Sequence, residues 1–455
     1  MKRPLAAVLV MYLAVVATLL HIDLPHRDLY LLSISTVLFA AAVALLARSR
    51  LSSRGVGWLV LVVGSLLQLI ALTRAPLTSD DANRYAWDAK VQLGGIDPYR
   101  YAPSAPQLAP LRDASMFGQS SACTYPIPGG CTAINRPDAH TIYPPVAQAA
   151  FDLGRIASFG GNGGLLVYQL MGALGAIAVT VLLLRRASSR GSPIWPVALW
   201  AWCPVVMLEF GNNAHIDWLA ALLTVFALQL GARNRNAASG SVLGAAIAVK
   251  LYPALVLPAL MRRRPWLVGT SAVATVVLVY LPHVVAVGRG VIGYLPGYLR
   301  EDGYNSGRRL ILVGTFLPHP ADTVVALLVL AVAAWWTWRR SDPSAPEQTA
   351  TIMTGIAFLV IAPSDGWYAA MLIALAIMSA RYEWTILALA PSFVYLTSLA
   401  LLSYTLAAIG TAVAWRLRKS CHPDPASTPQ TSLIASAPAA RLTLSTMRAR
   451  ERRAL

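Results

Sequence analysis

Charge is what this chain most lacks. Asp, Glu, Lys and Arg make up 13% of its 455 residues, while 56% are hydrophobic; soluble domains carry about 25% charged residues. A soluble core could not hide that much apolar surface, which excludes a water-soluble globular protein. Cysteine is scarce too: four residues exclude a disulfide-dense scaffold. Cys203 lies in an apolar run and Cys421 in a polar tail, and both read as inert thiols. Cys123 and Cys131 share one long polar loop, where a disulfide between them is plausible if that loop lies outside the cell. Several catalytic signatures are missing. There is no phosphate-cradling Gly-Lys-Ser loop, no zinc-spaced His/Cys set and no Gly-x-Ser-x-Gly. His215 and Asp217 are two apart, a poor metal pair on a helix. No metal site and no cofactor are expected.

What is present is a series of apolar runs, several longer than the roughly 18 residues that mark a membrane span. They predict an all-α polytopic membrane protein with about twelve transmembrane helices. The expected spans are 5–20, 29–47, 56–73, 164–184, 193–210, 216–231, 265–285, 322–338, 350–363, 367–380, 384–397 and 399–415. The first follows Lys2 and Arg3 and reads as a retained signal anchor. The formal net charge of +17 invites a nucleic-acid reading. Its placement argues against one, because Lys and Arg cluster in short linkers between spans and in the tail. The run 240–261 has arginines at both ends and Lys250 and Pro253 in its middle. A broken, re-entrant segment satisfies both flanks; a single span would invert everything after it. Residues 1–416 form the membrane domain, with outer loops at 74–162 and 286–320, and 417–455 form a disordered, basic cytoplasmic tail. Within the first loop, Ile142 to Ile156 reads as a short interfacial helix.

On this topology four polar patches share one side of the membrane: 79–103, 211–217, 294–309 and 363–368. Charge at a membrane edge is costly and usually lines a cavity or meets a partner. Asp80 and Asp81 are candidate bases for a sugar hydroxyl. Arg300, Arg308 and Arg309 could hold a phosphate, or meet lipid headgroups instead. Lys250 could snorkel, pair with a carboxylate or meet a lipid phosphate, though a structural lysine at the cytoplasmic face is the favoured reading.

Ser79-Asp80, Arg84-Tyr85, Trp87-Asp88 and Gly95-Ile96-Asp97-Pro98-Tyr99 resemble the first outer loop of actinobacterial polyprenol-phosphate-mannose-dependent mannosyltransferases. These are GT-C superfamily proteins grouped around glycosyltransferase family 87. The resemblance continues in Tyr143-Pro144-Pro145, Asn213 to Asp217, Lys250 to Pro253 and Pro363 to Tyr368. It implies a GT-C-like bundle in the plasma membrane with an outward-facing active site. The implied donor is a polyprenyl-phosphate sugar, most often mannose. The implied acceptor is a hydroxyl of a cell-envelope glycolipid or glycan, attacked with inversion. Asp80 matches the family's base, and Asp81 stands second. Donor phosphate falls to Arg300, Arg308, Arg309 and Lys250. The sugar pocket falls to Arg84, Tyr85, Trp87, Asp88, Tyr99, Tyr143, His215, Asp217, Trp367 and Tyr368, whose aromatic members could equally be packing residues. The rival reading is a transporter or lipid-linked-sugar flippase, which would bind its substrate near the midplane.

Overall fold

The computed structural model describes residues 2–118, 123–158 and 164–421. The expectation of a disordered tail therefore falls, beyond Cys421, outside the described residues. The chain divides into two units, 1–413 and 414–455.

The helices run α1 Lys2–His21, α2 Arg27–Ala47, α3 Ser53–Ala71, α4 Asp81–Leu93, α5 Pro145–Ala157, α6 Gly164–Ser189, α7 Ala198–Ala201, α8 Pro204–Val206, α9 Asp217–Ala232 and α10 Asn236–Ile247. They continue as α11 Leu257–Leu260, α12 Pro265–Val287, α13 Leu295–Glu301, α14 Ile311–Gly314, α15 Ala321–Arg340, α16 Glu347–Ile361, α17 Ala369–Met378, α18 Trp384–Thr397 and α19 Ala400–Cys421. Seven stretches, containing α1, α2, α3, α6, α12, α15 and α19, are long and apolar enough to cross a membrane. Four shorter apolar helices lie at α9, α16, α17 with its preceding turn, and α18. The protein is an all-α polytopic membrane protein. Helix starts follow local chemistry: Ser52 Oγ accepts from Gly55 N at 3.2 Å at the head of α3. Prolines open α5, α8 and α12, where the missing N–H costs nothing.

One expected span is not a single helix, and the run expected to be broken is broken. Segment 193–210 breaks into a 3-10 turn at Trp195–Val197, then α7, α8 and a π-helical turn at Met207–Asn212. Pro196 and Pro204 cannot donate to a continuous ladder. Burial of Trp200, Trp202 and Phe210 inside the bundle makes the irregular backbone tolerable. Segment 240–261 becomes α10, a loop carrying Lys250, a 3-10 turn at Tyr252–Val256 and α11. Lys250 reaches Asp217 at the head of α9, while Arg263 hydrogen-bonds the Asn234 side chain after its tail. The segment therefore leaves the end of the bundle at which it entered, as a re-entrant hairpin does.

The first long loop is itself folded. Tyr85 of α4 stacks on Phe151 of α5 with ring centroids 4.2 Å apart. Strands β1 Tyr125–Ile127 and β2 Gly130–Thr132 pair antiparallel with Tyr125 opposite Thr132. The Cys123–Cys131 disulfide closes this hairpin. Helix α5 buries Ala147, Gln148 and Phe151 and exposes Leu153 and Ile156, the amphipathic division expected of an interfacial helix.

Candidate functional site

The segment before Asp80 is held from across the bundle. Asn212 Nδ2 donates to the carbonyls of Ala71 and Arg74, both at 3.1 Å, and its Oδ1 accepts from Leu77 N at 2.9 Å. Asn213 accepts from Thr78 N at 3.2 Å and donates to Thr78 Oγ1 at 2.7 Å. The π-helical turn thus fixes where α4 begins. Ala214 sits at φ 61°, a left-handed conformation costly for a residue with a Cβ. That turn then delivers His215 and Asp217 inward, both fully buried.

Asp80 precedes α4 and Asp81 opens it, so the helix N-terminus favours both carboxylates. Their surroundings differ. Asp80 is exposed and accepts from Tyr125 Oη at 2.8 Å. Asp81 accepts from Tyr143 Oη at 2.7 Å and Asn135 Nδ2 at 2.9 Å, with His215 Nδ1 3.6 Å away. Burial pushes Asp81 up, but His215, Lys250 and the two hydrogen bonds together bring it below the usual carboxylate value. Burial also drives His215 down to about 4. The imidazole is therefore neutral near pH 7, and the working cation within reach of Asp81 is Lys250.

Lys250 Nζ lies 3.2 Å from Asp217 Oδ2 and within 5.7 Å of the rings of Tyr143, Trp367 and Tyr368. His215 stacks against Trp367 at 4.0 Å and faces Glu209 at 3.4 Å with its other nitrogen. Glu209 in turn accepts from Asn213 at 3.2 Å.

Asp80, Asp81, Arg84, Tyr143, Lys250, Trp367 and Tyr368 line one cavity of about 1020 Å³. Its other wall is apolar, built by Leu255, Tyr280, Ile292, Leu295, Phe358 and Ile361.

Several expected residues lie outside the cavity wall. Arg300 and Arg308 are exposed away from it. Arg309 stands behind it, paired with Asp302 at 2.9 Å and 3.8 Å from Asp365. Like charge in a loop does not dictate direction, and Arg309 is drawn to the nearest buried carboxylates. It braces the 302–309 loop against the 363–368 turn, where Tyr298 and Tyr368 hydroxyls meet at 3.1 Å. Tyr85 and Trp87 are packing residues, Trp87 against Phe117 at 4.7 Å. Asp88 is spent on Arg84 at 2.9 Å and on Thr141 and Gln148. Tyr99 donates to the Tyr143 carbonyl at 2.6 Å. His215 and Asp217 sit behind Asp81 and Lys250 rather than in the wall. Conversely, Tyr125, Asn135, Arg136 and Asp365 line the cavity without having been picked out as site residues. Glu209 was missed too, although a lone acid at the end of an apolar run is a readable signal.

A bundle of membrane-spanning helices with a large cavity, part carboxylate and lysine, part apolar, defines a polytopic membrane protein whose site joins charged and apolar walls. Residues 141–363 match the sequence model of Glycosyltransferase family 87. Over that stretch, just under half of its length, the chain is similar to this family. It is 24% identical over 353 residues to Alpha-(1->6)-mannopyranosyltransferase A of Mycobacterium tuberculosis, covering 70% of this chain. The match spans 65% of that relative's length. No solved structure matches the chain.

Proposed function

We propose that the protein transfers a sugar, mannose by analogy with its mycobacterial relative, from a polyprenyl-phosphate donor to a hydroxyl of a cell-envelope glycolipid or glycan. The observation that carries this is the cavity: an ionised carboxylate and a ring-caged lysine share a wall with an apolar surface between α12, the re-entrant hairpin and α16. The apolar side suits a prenyl chain. Lys250 suits the phosphate that chain carries. Asp81 takes the proton of the acceptor hydroxyl, whose oxygen forms a bond to the anomeric carbon. The bond from that carbon to the phosphate oxygen breaks on the opposite face, and the lipid phosphate leaves beside Lys250, with inversion. Asp80, hydrogen-bonded by Tyr125 at the mouth, orients the acceptor.

This ranks Asp81 above Asp80, because Asp81 is the carboxylate held by Tyr143 and Asn135 within reach of the charge on Lys250. The membrane side follows from two supports. The end opposite the cavity carries Arg48, Arg50, Arg54, Arg185, Arg186, Arg233, Arg235 and Arg262 to Arg264, as cytoplasmic linkers do. The cavity end carries a disulfide, which persists in oxidising compartments. We therefore assign the site to the outer face of the plasma membrane.

The test is transfer from purified polyprenyl-phosphate mannose by the purified chain. Asp81→Asn is expected to lower turnover by roughly 10²–10⁴-fold, and Asp80→Asn by less than about tenfold. The reverse order returns the base role to Asp80. Full activity in both variants, or no transfer by the unaltered chain from any lipid-linked sugar, removes the reading.

A further inference from the structure

A second, smaller hollow of about 350 Å³ lies at the end of the bundle opposite the cavity. Arg262, Trp335, Trp336, Arg339 and Arg340 line it. Arg262 follows α11 at the base of the re-entrant hairpin, and the other four share one face of the last turns of α15. None of the three arginines has an acidic partner among the described residues, whereas Arg186 and Arg190 at the same end both pair with Glu347. Arg339 lies over the Trp335 ring at 5.9 Å. Three unpaired guanidinium groups around one hollow repel one another, and an anion placed among them removes that cost.

The surroundings say what kind of anion fits. Helix α11 packs against both α12 and α15. The outer faces of those two spans are apolar and exposed, with Leu278 and Val285 on one and Leu327 and Val332 on the other. Tryptophans at the end of a span sit at headgroup level. Basic hollows between spans take anionic headgroups.

We propose that this hollow binds the headgroup of an anionic phospholipid. Its phosphate meets Arg262, Arg339 and Arg340, its glycerol rests on Trp335 and Trp336, and its acyl chains run along α12 and α15. Occupancy ties the base of the hairpin that carries Lys250 to α15. The site is remote from the cavity, so it stands or falls separately from the transfer reading.

The test is binding of short-chain phosphatidylglycerol and phosphatidylcholine to the full chain in neutral detergent. Phosphatidylglycerol is expected to bind at least about tenfold more tightly, with an affinity that falls as salt rises. The triple variant Arg262→Gln, Arg339→Gln, Arg340→Gln is expected to bind it roughly a hundredfold more weakly. The control Arg185→Gln, Arg233→Gln, Arg235→Gln removes the same charge at the same end and should stay within about threefold. Equal affinity for the two lipids, or equal loss in both triple variants, overturns the site. Should the first variant not fold, a photoactivatable phosphatidylglycerol on the unaltered chain decides. Adducts within 261–266 and 335–340 support the site, and adducts confined elsewhere overturn it.

Discussion

Asp80 and Asp81 are neighbours in the chain, yet one faces a water-accessible mouth and the other a buried cluster. The second is stabilised by residues that come from 54 (Asn135) to 169 (Lys250) positions away. Glu209 belongs to the same cluster, since it touches both His215 and the Asn213 that positions Thr78. Glu209→Ala removes its hydrogen bond with Asn213 and its contact with His215, and is expected to cost about 1–3 kcal/mol of stability. Glu209→Gln keeps a hydrogen-bonding group and should cost about 1 kcal/mol; thermal unfolding in detergent compares them. His215 sets a pH dependence whose sign is fixed. Burial depresses its folded pKa to about 4, so the unfolded chain binds the proton first. Stability is full above the unfolded histidine value of about 6.5 and is lost as pH falls through about 4. His215→Gln should flatten that slope in melts recorded from pH 7 downward.

The elements that shape the cavity are those that break helical regularity. The π-helical turn at Met207–Asn212 packs tightly: a Cβ on Gly172 of α6 would meet the Phe210 carbonyl oxygen at 2.1 Å. Gly172→Ala must push the two segments apart, at a cost of about 1–3 kcal/mol, seen as a lower melting temperature. Gly293 is constrained twice. Its φ is +55°, and a Cβ there would meet the Thr141 carbonyl oxygen at 1.9 Å. Gly293→Ala should therefore loosen the 286–309 loop from the first loop. The hairpin that presents Tyr125 to Asp80 depends on its disulfide. Cys123→Ser with Cys131→Ser is expected to cost about 2–3 kcal/mol, and to weaken acceptor use more than donor use in KM measurements.

Over the whole molecule, charge divides by end. Arginine-rich linkers gather at one end, with Arg186 and Arg190 sharing Glu347. Carboxylates, tyrosines and the cavity gather at the other. On the proposed topology a cysteine at Ser79→Cys reacts with a membrane-impermeant reagent added to intact cells. One at Ser188→Cys reacts only after permeabilisation. Labelling in the opposite sense would invert the protein and remove the outer-face assignment.

Hydropathy made the membrane class, most of the spans and the break at Lys250 legible from the sequence. Each is a property of a continuous stretch and its flanking charges, set by the cost of putting polar groups in hydrocarbon. The gathering of 79–103, 211–217, 294–309 and 363–368 on one side was also readable, because topology alone puts loop ends on one face; that Lys250 joins them was not. Nor was direction within that face. Whether Arg309 reaches a substrate or braces Asp302, and whether Asp80 or Asp81 comes within reach of the charge on Lys250, depends on partners far along the chain. Burial decides it, since a charged group settles where the surrounding packing leaves it a counter-charge, and no local pattern encodes where that will be.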